Sequence, residues 1–521
     1  MNERMDTEKR APVTVPQLLA GASERAAALI EPGGEMLTYG ALRATVDDLA
    51  GALRALGVGA GERVAIALPG GIPIICALLG IARARAVAAP LNPSYTYDEY
   101  RFYLNDIAPA LVLVGAGSDA VIRDVAATLA LPVREIAIGG DGRVSILDAA
   151  VIAPPEDPRA DDVVLLLHTS GTTSGPKGVP LRHKNVCASV ENITRWYQLG
   201  TNDVSLCVMP LFHVHGIIFS TLAFLAAGAS VVVPPRFSAG SFWYDVARYD
   251  VTVVSAMPTI YRTLLARADA DGAPRSGEHS LRFIRSSSAA LPATVFHALE
   301  ARFGVPVIEA YSMTEAAHQM CANPLTADRR AGSVGIGAFV DVSVLDDAGT
   351  VLPHGTIGEV AVRGRNVIRA YHKNPEADAT AFINGWFRTG DRGFMNEDGF
   401  LTLVGRIKEL INRGGEKIAP AEIDECLLRH AAVIEAVTFG IADEKYGEAV
   451  AVAVVVHDGT SVDDVLAHAR AHLAPFKIPT RVFVTDAIPK TATGKVQRRA
   501  RAAKRRRALP RCAIPSHARS A

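Results

Sequence analysis

Several things are scarce in this 521-residue chain, and each scarcity excludes a class of protein. Cysteine is sparse and unpatterned: Cys76, Cys187, Cys207, Cys321, Cys426 and Cys512 fall with no CxxC spacing, which excludes a disulfide framework or a zinc module and fits a reducing compartment. Charge of one sign is missing, since 54 Lys and Arg balance 54 Asp and Glu, so no global field draws the molecule to nucleic acid or to an acidic membrane. Apolar runs such as 72–79 and 222–233 are too short or too interrupted by glycine to span a bilayer, and the polar start MNERMDTEKRAP has no signal core. No fixed-period repeat and no long low-complexity linker is present. The one charge run, QRRARAAKRRRALPR at 497–511, reads as a solvated terminal helix and tail. These absences lead to the expectation of a cytoplasmic protein with small-molecule partners, no nucleic acid and no membrane.

What is present is an α/β alternation. Helical spacing at 15–30 and at 42–56, ending on Gly57, precedes a strand at 63–68, a helix through 74–84 and further strands at 86–89 and 111–114. This predicts mostly parallel, doubly wound sheets covered by helices. From 332 to 404 the texture changes to short strands punctuated by Gly, Pro and Asp, predicting a small β-barrel or twisted sheet. The charged, glycine-bearing joint GRIKELINRGGEKIAP (405–420) then leads to a compact α+β unit, which places a domain boundary between Arg406 and Lys408 and gives domains of residues 1–405 and 406–521.

The chemistry is concentrated at the ends of predicted strands, where open α/β sheets bind ligands. The apolar strand 163–167 empties into HTSGTTSGPKG, with five hydroxyl residues, three glycines and Lys177. Thr169, Ser170, Gly171, Thr172 and Thr173 supply donors and a turnable backbone, and Lys177 a point charge suited to phosphate. It is not a Walker A loop, because Pro176 stands where the second glycine belongs and Gly178 where Ser or Thr belongs. Farther on, Glu309-Ala310-Tyr311-Ser312-Met313-Thr314-Glu315 offers a ring to stack on a base, a hydroxyl for phosphate and a carboxylate for Mg²⁺. Asp391, in the turn TGD, suits two ribose hydroxyls, and Arg406 could bind the same ribose or pair with Asp391.

Taken together, TSGTTSGPKG, PLFHVHG, EAYSMTE, WFRTGD, GRIKELINRGGEKIAPAEID and PKTATGK resemble, in order and over about 18–499, the motif series of the adenylate-forming superfamily, acyl-CoA synthetases in particular. The resemblance implies an acyl-CoA ligase that uses ATP, Mg²⁺ and CoA through an acyl-adenylate. It also implies a large N-terminal domain and a small C-terminal one that rotates about Lys408 between half-reactions. Lys495 would bridge the acyl carboxylate and the α-phosphate, Glu315 would hold Mg²⁺, Gly414 and Gly415 would line the pantetheine tunnel, and His213 matches a position that gates CoA entry. The strings RFIRSSSAAL, EAYSMTEAAHQMCANPL and DEKYGE resemble the oxalate–CoA ligase branch, in which a serine and histidines hold the far carboxylate. Carried over, these are Ser288 and His318, with His213 or His215. A ligase for malonate, another short acid or a coumarate-like acid stands as the alternative. A non-catalytic nucleotide-binding module and a luciferase-like oxygenase are the readings outside the class.

Overall fold

The computed structural model describes residues 11–117, 120–139, 142–169, 176–326 and 328–489. The chain divides into two compact units between Leu403 and Val404.

The first unit contains two large mixed sheets. One has seven strands, in the order Val144–Ile146, Val133–Ile138, Leu111–Gly115, Arg63–Ala67, Val87–Pro90, Val163–Thr169 and Lys177–Arg182. Its five inner strands run parallel, and both edge strands are antiparallel. The other has nine strands, from Ile336–Gly337 through His318–Ala322, Val307–Met313, Phe283–Ser286, Val253–Ala256, Val204–Leu206, Ser230–Val232 and Ala27–Ile30 to Met36–Thr38.

Residue alternation explains why the strands read as unbroken apolar runs. Val64 and Ile66 pack into one core cluster while Ala65 and Ala67 pack into another, and Leu111 and Leu113 oppose Val112 and Val114 in the same way. In the larger sheet Val253 and Phe283 face one cluster, Val254 and Ile284 the next. A parallel strand covered on both faces has no polar side to show.

The expected helix over 15–30 is corrected. Only Pro16–Leu19 turns, as a 3₁₀ helix, and Ala27–Ile30 is a strand paired parallel to Ser230–Val232 and antiparallel to Met36–Thr38. A sheet position 200 residues away overrode local helical spacing, as tertiary pairing commonly does. Lys177, expected in a loop, opens the strand Lys177–Arg182. Within 341–395, Gly358–Arg363 pairs antiparallel with Asp341–Leu345 on one side and Trp386–Met395 on the other, and Phe382–Ile383 pairs antiparallel with Trp386–Met395.

The second unit is a sheet in the order Glu416–Ile418, Ile411–Arg413, Gly447–Val456 and Val433–Asp443, with Arg481–Val484 parallel to Gly447–Val456. Helices Pro420–Leu428 and Val462–His472 cover it. Period-two alternation recurs: Val450, Val452 and Val454 join the helices' core cluster, while Ala451 and Ala453 pack with Phe439. No described helix is long and apolar enough to cross a membrane.

Candidate active site

Strand ends bring the expected residues together in three groups. The first lies around the hydroxyl-rich stretch. Thr169 and Lys177 face each other across the antiparallel pair of Val163–Thr169 with Lys177–Arg182. Ser170, Gly171, Thr172 and Thr173, between them, lie outside the described residues, as does Lys495. The Lys177 ammonium sits over the Tyr371 ring, 4.6 Å from its centroid, and the Tyr371 hydroxyl donates to Glu315 Oε1 at 3.0 Å. Tyr371 thus ties the lysine to the carboxylate. Burial, reinforced by Glu315, pushes the Tyr371 phenol up, so it remains a donor. Glu315 is buried in the 3₁₀ turn Thr314–Ala316, at the end of Val307–Met313, with Thr314 half-buried beside it. A buried carboxylate is the hard oxygen donor that Mg²⁺ takes, the remaining ligands being water and substrate phosphate, so the residues fit the ion.

The second group lies where Phe283–Ser286 and Val307–Met313 run side by side, with Ser286 opposite Glu309. The Glu309 carboxylate accepts from the Leu291 amide at 2.9 Å, and Ala310 O accepts from Ser287 Oγ at 3.0 Å. The Tyr311 hydroxyl donates to Asp391 Oδ2, and Asp391 is buried. The two residues expected to meet base and ribose therefore touch each other, and Tyr311 orients the carboxylate.

The third group is a buried polar cluster. The loop carrying Phe212 and His213 closes on a π-helical segment, His215–Ala223, that begins at His215. Gly216 permits the close return: a Cβ there would lie 2.5 Å from Pro210 O and 2.7 Å from Met209 O. π-Helical turns leave regular helix geometry and often mark functional positions. His215 Nδ1 bonds Ser288 Oγ at 3.0 Å, and its Nε2 bonds Ser255 Oγ at 2.7 Å. Its ring lies 5.1 Å from that of His318. His318 is fully buried, and neither ring nitrogen has a hydrogen-bond partner among the described residues. Burial first, then Arg285 and His215, hold the His318 imidazole well below the usual histidine range, so it is neutral. Ser288 (φ 72°), Ala317 (φ 46°) and His318 (φ 96°) all occupy left-handed backbone, which non-glycine residues adopt only at a cost. His213, half-buried, packs its ring on Phe212 at 4.7 Å.

Sequence reasoning missed Tyr371 and Arg285. Tyr371 stands in IRAYHKNP, which carries no motif, and its relevance arises from spatial closure alone. Arg285 stands inside RFIRSSSAAL, where a charged residue in an apolar strand was the available signal. It is 0% exposed.

In the second unit, Arg406 ends the strand Leu401–Arg406 and Lys408 lies in the 3₁₀ turn Ile407–Glu409, both exposed. Gly414 (φ 61°) and Gly415 (φ 97°) make the two-residue turn between Ile411–Arg413 and Glu416–Ile418. Positive φ at both central residues is the requirement of a tight hairpin.

Buried strand-end polar groups, a lysine tied to a carboxylate and a second compact unit define an adenylate-forming enzyme. The chain belongs to the AMP-binding enzyme family, which matches residues 19–372, with the AMP-binding enzyme C-terminal domain matching 422–495. It is 46% identical to a probable CoA ligase of Humulus lupulus over 92% of this chain and 93% of that one. It is 44% identical to an oxalate–CoA ligase of Arabidopsis thaliana over 85% of this chain and 88% of that one. Among solved structures, ATP-bound MatB from Rhodopseudomonas palustris superposes with a TM-score of 0.86 at 30% identity, covering 94% of this chain and 99% of that one. The protein is an ATP-dependent, AMP-forming acyl-CoA ligase acting on small molecules.

Proposed function

We propose that the acid is oxalate, converted with ATP and CoA to oxalyl-CoA, AMP and diphosphate. One observation carries this reading: His318 is fully buried with neither ring nitrogen partnered among the described residues, its ring beside those of His215 and Phe219, and His215 in turn bonds Ser288. An unpaired buried imidazole is costly, and a pocket for an alkyl or aryl chain would not contain one. A second carboxylate, adjacent to the reacting one, supplies the missing acceptor. The oxalate–CoA ligase identity of a relative that is 44% identical supports the same acid.

The chemistry asks for positioning more than for proton transfer. Oxalate is fully ionised at neutral pH, so one carboxylate oxygen attacks the α-phosphorus without a general base, forming a P–O bond as the bond to diphosphate breaks. Lys177 and the hydroxyl stretch Thr169 to Thr173 would bind the phosphates. Thr314 would donate to them, and Glu309, Ala310 and Tyr311 would bracket the base while Asp391 and Arg406 take the ribose. When bound, Mg²⁺ would neutralise charge on the departing diphosphate, and Glu315 is the residue that would hold it. Lys495 would contact both carboxylate and α-phosphate. Rotation of the second domain about Lys408 would withdraw Lys495 and bring Gly414 and Gly415 to the pantetheine path, with His213 at its entrance. The CoA thiolate would then attack the acyl carbon, forming the C–S bond as the C–O bond breaks, and AMP would leave carrying the oxygen that came from the oxalate carboxylate.

The test is CoA-dependent AMP release with oxalate, malonate, sulfoacetate, acetate and coumarate in parallel. A kcat/KM for oxalate about a hundredfold above the others is expected, and Ser288→Ala and His318→Ala should each raise its KM about tenfold or more while the KM for ATP stays put. Preference for another acid would keep the ligase and discard oxalate.

A further inference from the structure

Arg285 is a buried cation that the adenylation chemistry above does not use. Its guanidinium is fully enclosed on the strand Phe283–Ser286. Nε donates to Tyr197 Oη at 2.9 Å, one Nη to Ser255 Oγ at 3.1 Å and the other to Gln319 Oε1 at 3.2 Å. Its face lies 4.2 Å from the Phe219 ring centroid. All of these partners are neutral, and among the described residues no carboxylate pairs with it. A charge removed from water without a counter-ion is expensive, and such sites persist where something else supplies the opposite charge.

The hydrogen bonds around it have a direction. Arg285 can only donate, so Ser255 Oγ accepts from it. The Ser255 hydroxyl, 2% exposed, then has one acceptor among the described residues, His215 Nε2. In the opposite arrangement, with the proton on Nε2, the Ser255 hydrogen would be buried with no acceptor among the described residues, which costs more. With Nε2 accepting, the neutral ring carries its proton on Nδ1 and donates to Ser288 Oγ. Ser288 Oγ is thereby occupied as an acceptor, and its own hydrogen is left to donate. Ser288 is half-buried, at the outer end of this chain of bonds.

We infer that Arg285 is a positioning and selectivity residue. Acting through Ser255 and His215, it fixes Ser288 as a donor, and its charge tunes the cluster for acids carrying a second negative group. The inference rests on the proposed reading that the acid binds at Ser288 and His318. A carboxylate accepts hydrogen bonds and never donates them, so a one-way donor suits it. Charge–charge attraction through a water-poor interior then adds discrimination against singly charged acids of the same size.

The experiment compares kcat and KM for oxalate, sulfoacetate, acetate and ATP in the full-length enzyme and four variants: Arg285→Lys, Arg285→Met, Ser255→Ala and Ser255→Thr. Arg285→Met and Ser255→Ala should raise the oxalate KM about ten- to a hundredfold, lower the oxalate-over-acetate preference by a similar factor and leave the ATP KM within about twofold. Ser255→Thr keeps the hydroxyl and should restore the preference. Arg285→Lys keeps the charge but loses the fork, and should fall between. Thermal melts decide which variants are folded. Should both Arg285 variants fail to fold, the Ser255 pair decides, since that site keeps the buried cation in place. An unchanged oxalate-over-acetate preference in folded Ser255→Ala overturns the inference while leaving oxalate as the substrate. Equal losses for oxalate, acetate and ATP would mean a merely structural role and also overturn it. A wild-type enzyme with no preference for doubly charged acids would instead remove the functional reading, and this inference with it.

Discussion

At the scale of single residues, the structure's buried histidines separate into distinct jobs. His183 shows no exposure, and its Nδ1 accepts from the Val15 amide at 3.0 Å, so it must be neutral. Burial pulls its pKa from 6.5 down to about 4, with Asp162 opposing part of the effect. The unfolded chain therefore takes up a proton below pH 6.5 that the folded chain refuses. Stability is full above that pH and declines as pH falls from 6.5 to about 4, by about 3 kcal/mol for this residue. Urea unfolding of the wild type and of His183→Asn, whose amide oxygen keeps the acceptor, should converge in pH dependence only if His183 has no part in it. A difference of about 2 kcal/mol between pH 7 and 5 is the expected outcome. In the sequence His183, His215 and His318 look alike. Spacing did not say that His215, and not His213, bonds Ser288, because the distinction depends on a π-helical turn that no local rule writes into HVHG.

Elements were the most legible scale wherever they are buried on both faces. The runs RVAIA, LVLVG and VVLLL announce themselves as strands because neither face meets water. The stretch 15–30 misled for the opposite reason: its four-residue strand is too short for a pattern and owes its state to Ser230–Val232. Glycine marks another limit of local reading. Gly216 and Gly240 both sit inside helical segments, yet a Cβ at Gly216 would meet backbone oxygen at 2.5 Å, whereas at Gly240 it meets nothing within 4 Å. Gly216→Ala should lower stability by about 1–3 kcal/mol through overpacking. Gly240→Ala should raise it by about 0.5–1 kcal/mol through helix propensity. Paired thermal melts would show shifts of opposite sign, and two shifts of one sign would contradict the described packing.

At the scale of the whole molecule, the chain forms two compact units divided between Leu403 and Val404, while the sequence reading placed its boundary at Arg406 to Lys408. Division of labour between the units is a proposal, and half-reactions test it. On the proposed mechanism, Lys495→Ala should abolish oxalate-dependent adenylation, read as ATP–diphosphate exchange, by about a thousandfold, as loss of a group that touches the transition state would. Thioester formation from supplied acyl-adenylate should survive nearly intact. Equal losses in both would remove the lysine from its assigned place. The residues assigned to the proposed site could be named from the sequence because the motifs that carry them follow one family's order along the chain. Arg285 and Tyr371 could not, because each matters only through partners distant in sequence: Tyr197 and Gln319 for one, Lys177 and Glu315 for the other.

The left-handed backbone at Ser288 has a consequence for how such an enzyme changes over generations. Glycine would occupy that position without strain, and relief of that kind is commonly worth about 1 kcal/mol or more. Selection for heat resistance alone would therefore drift toward glycine at 288, erasing a group assigned here to the acid, while selection for growth on that acid would hold serine against the gradient. Thermal robustness and substrate choice compete for the same codon.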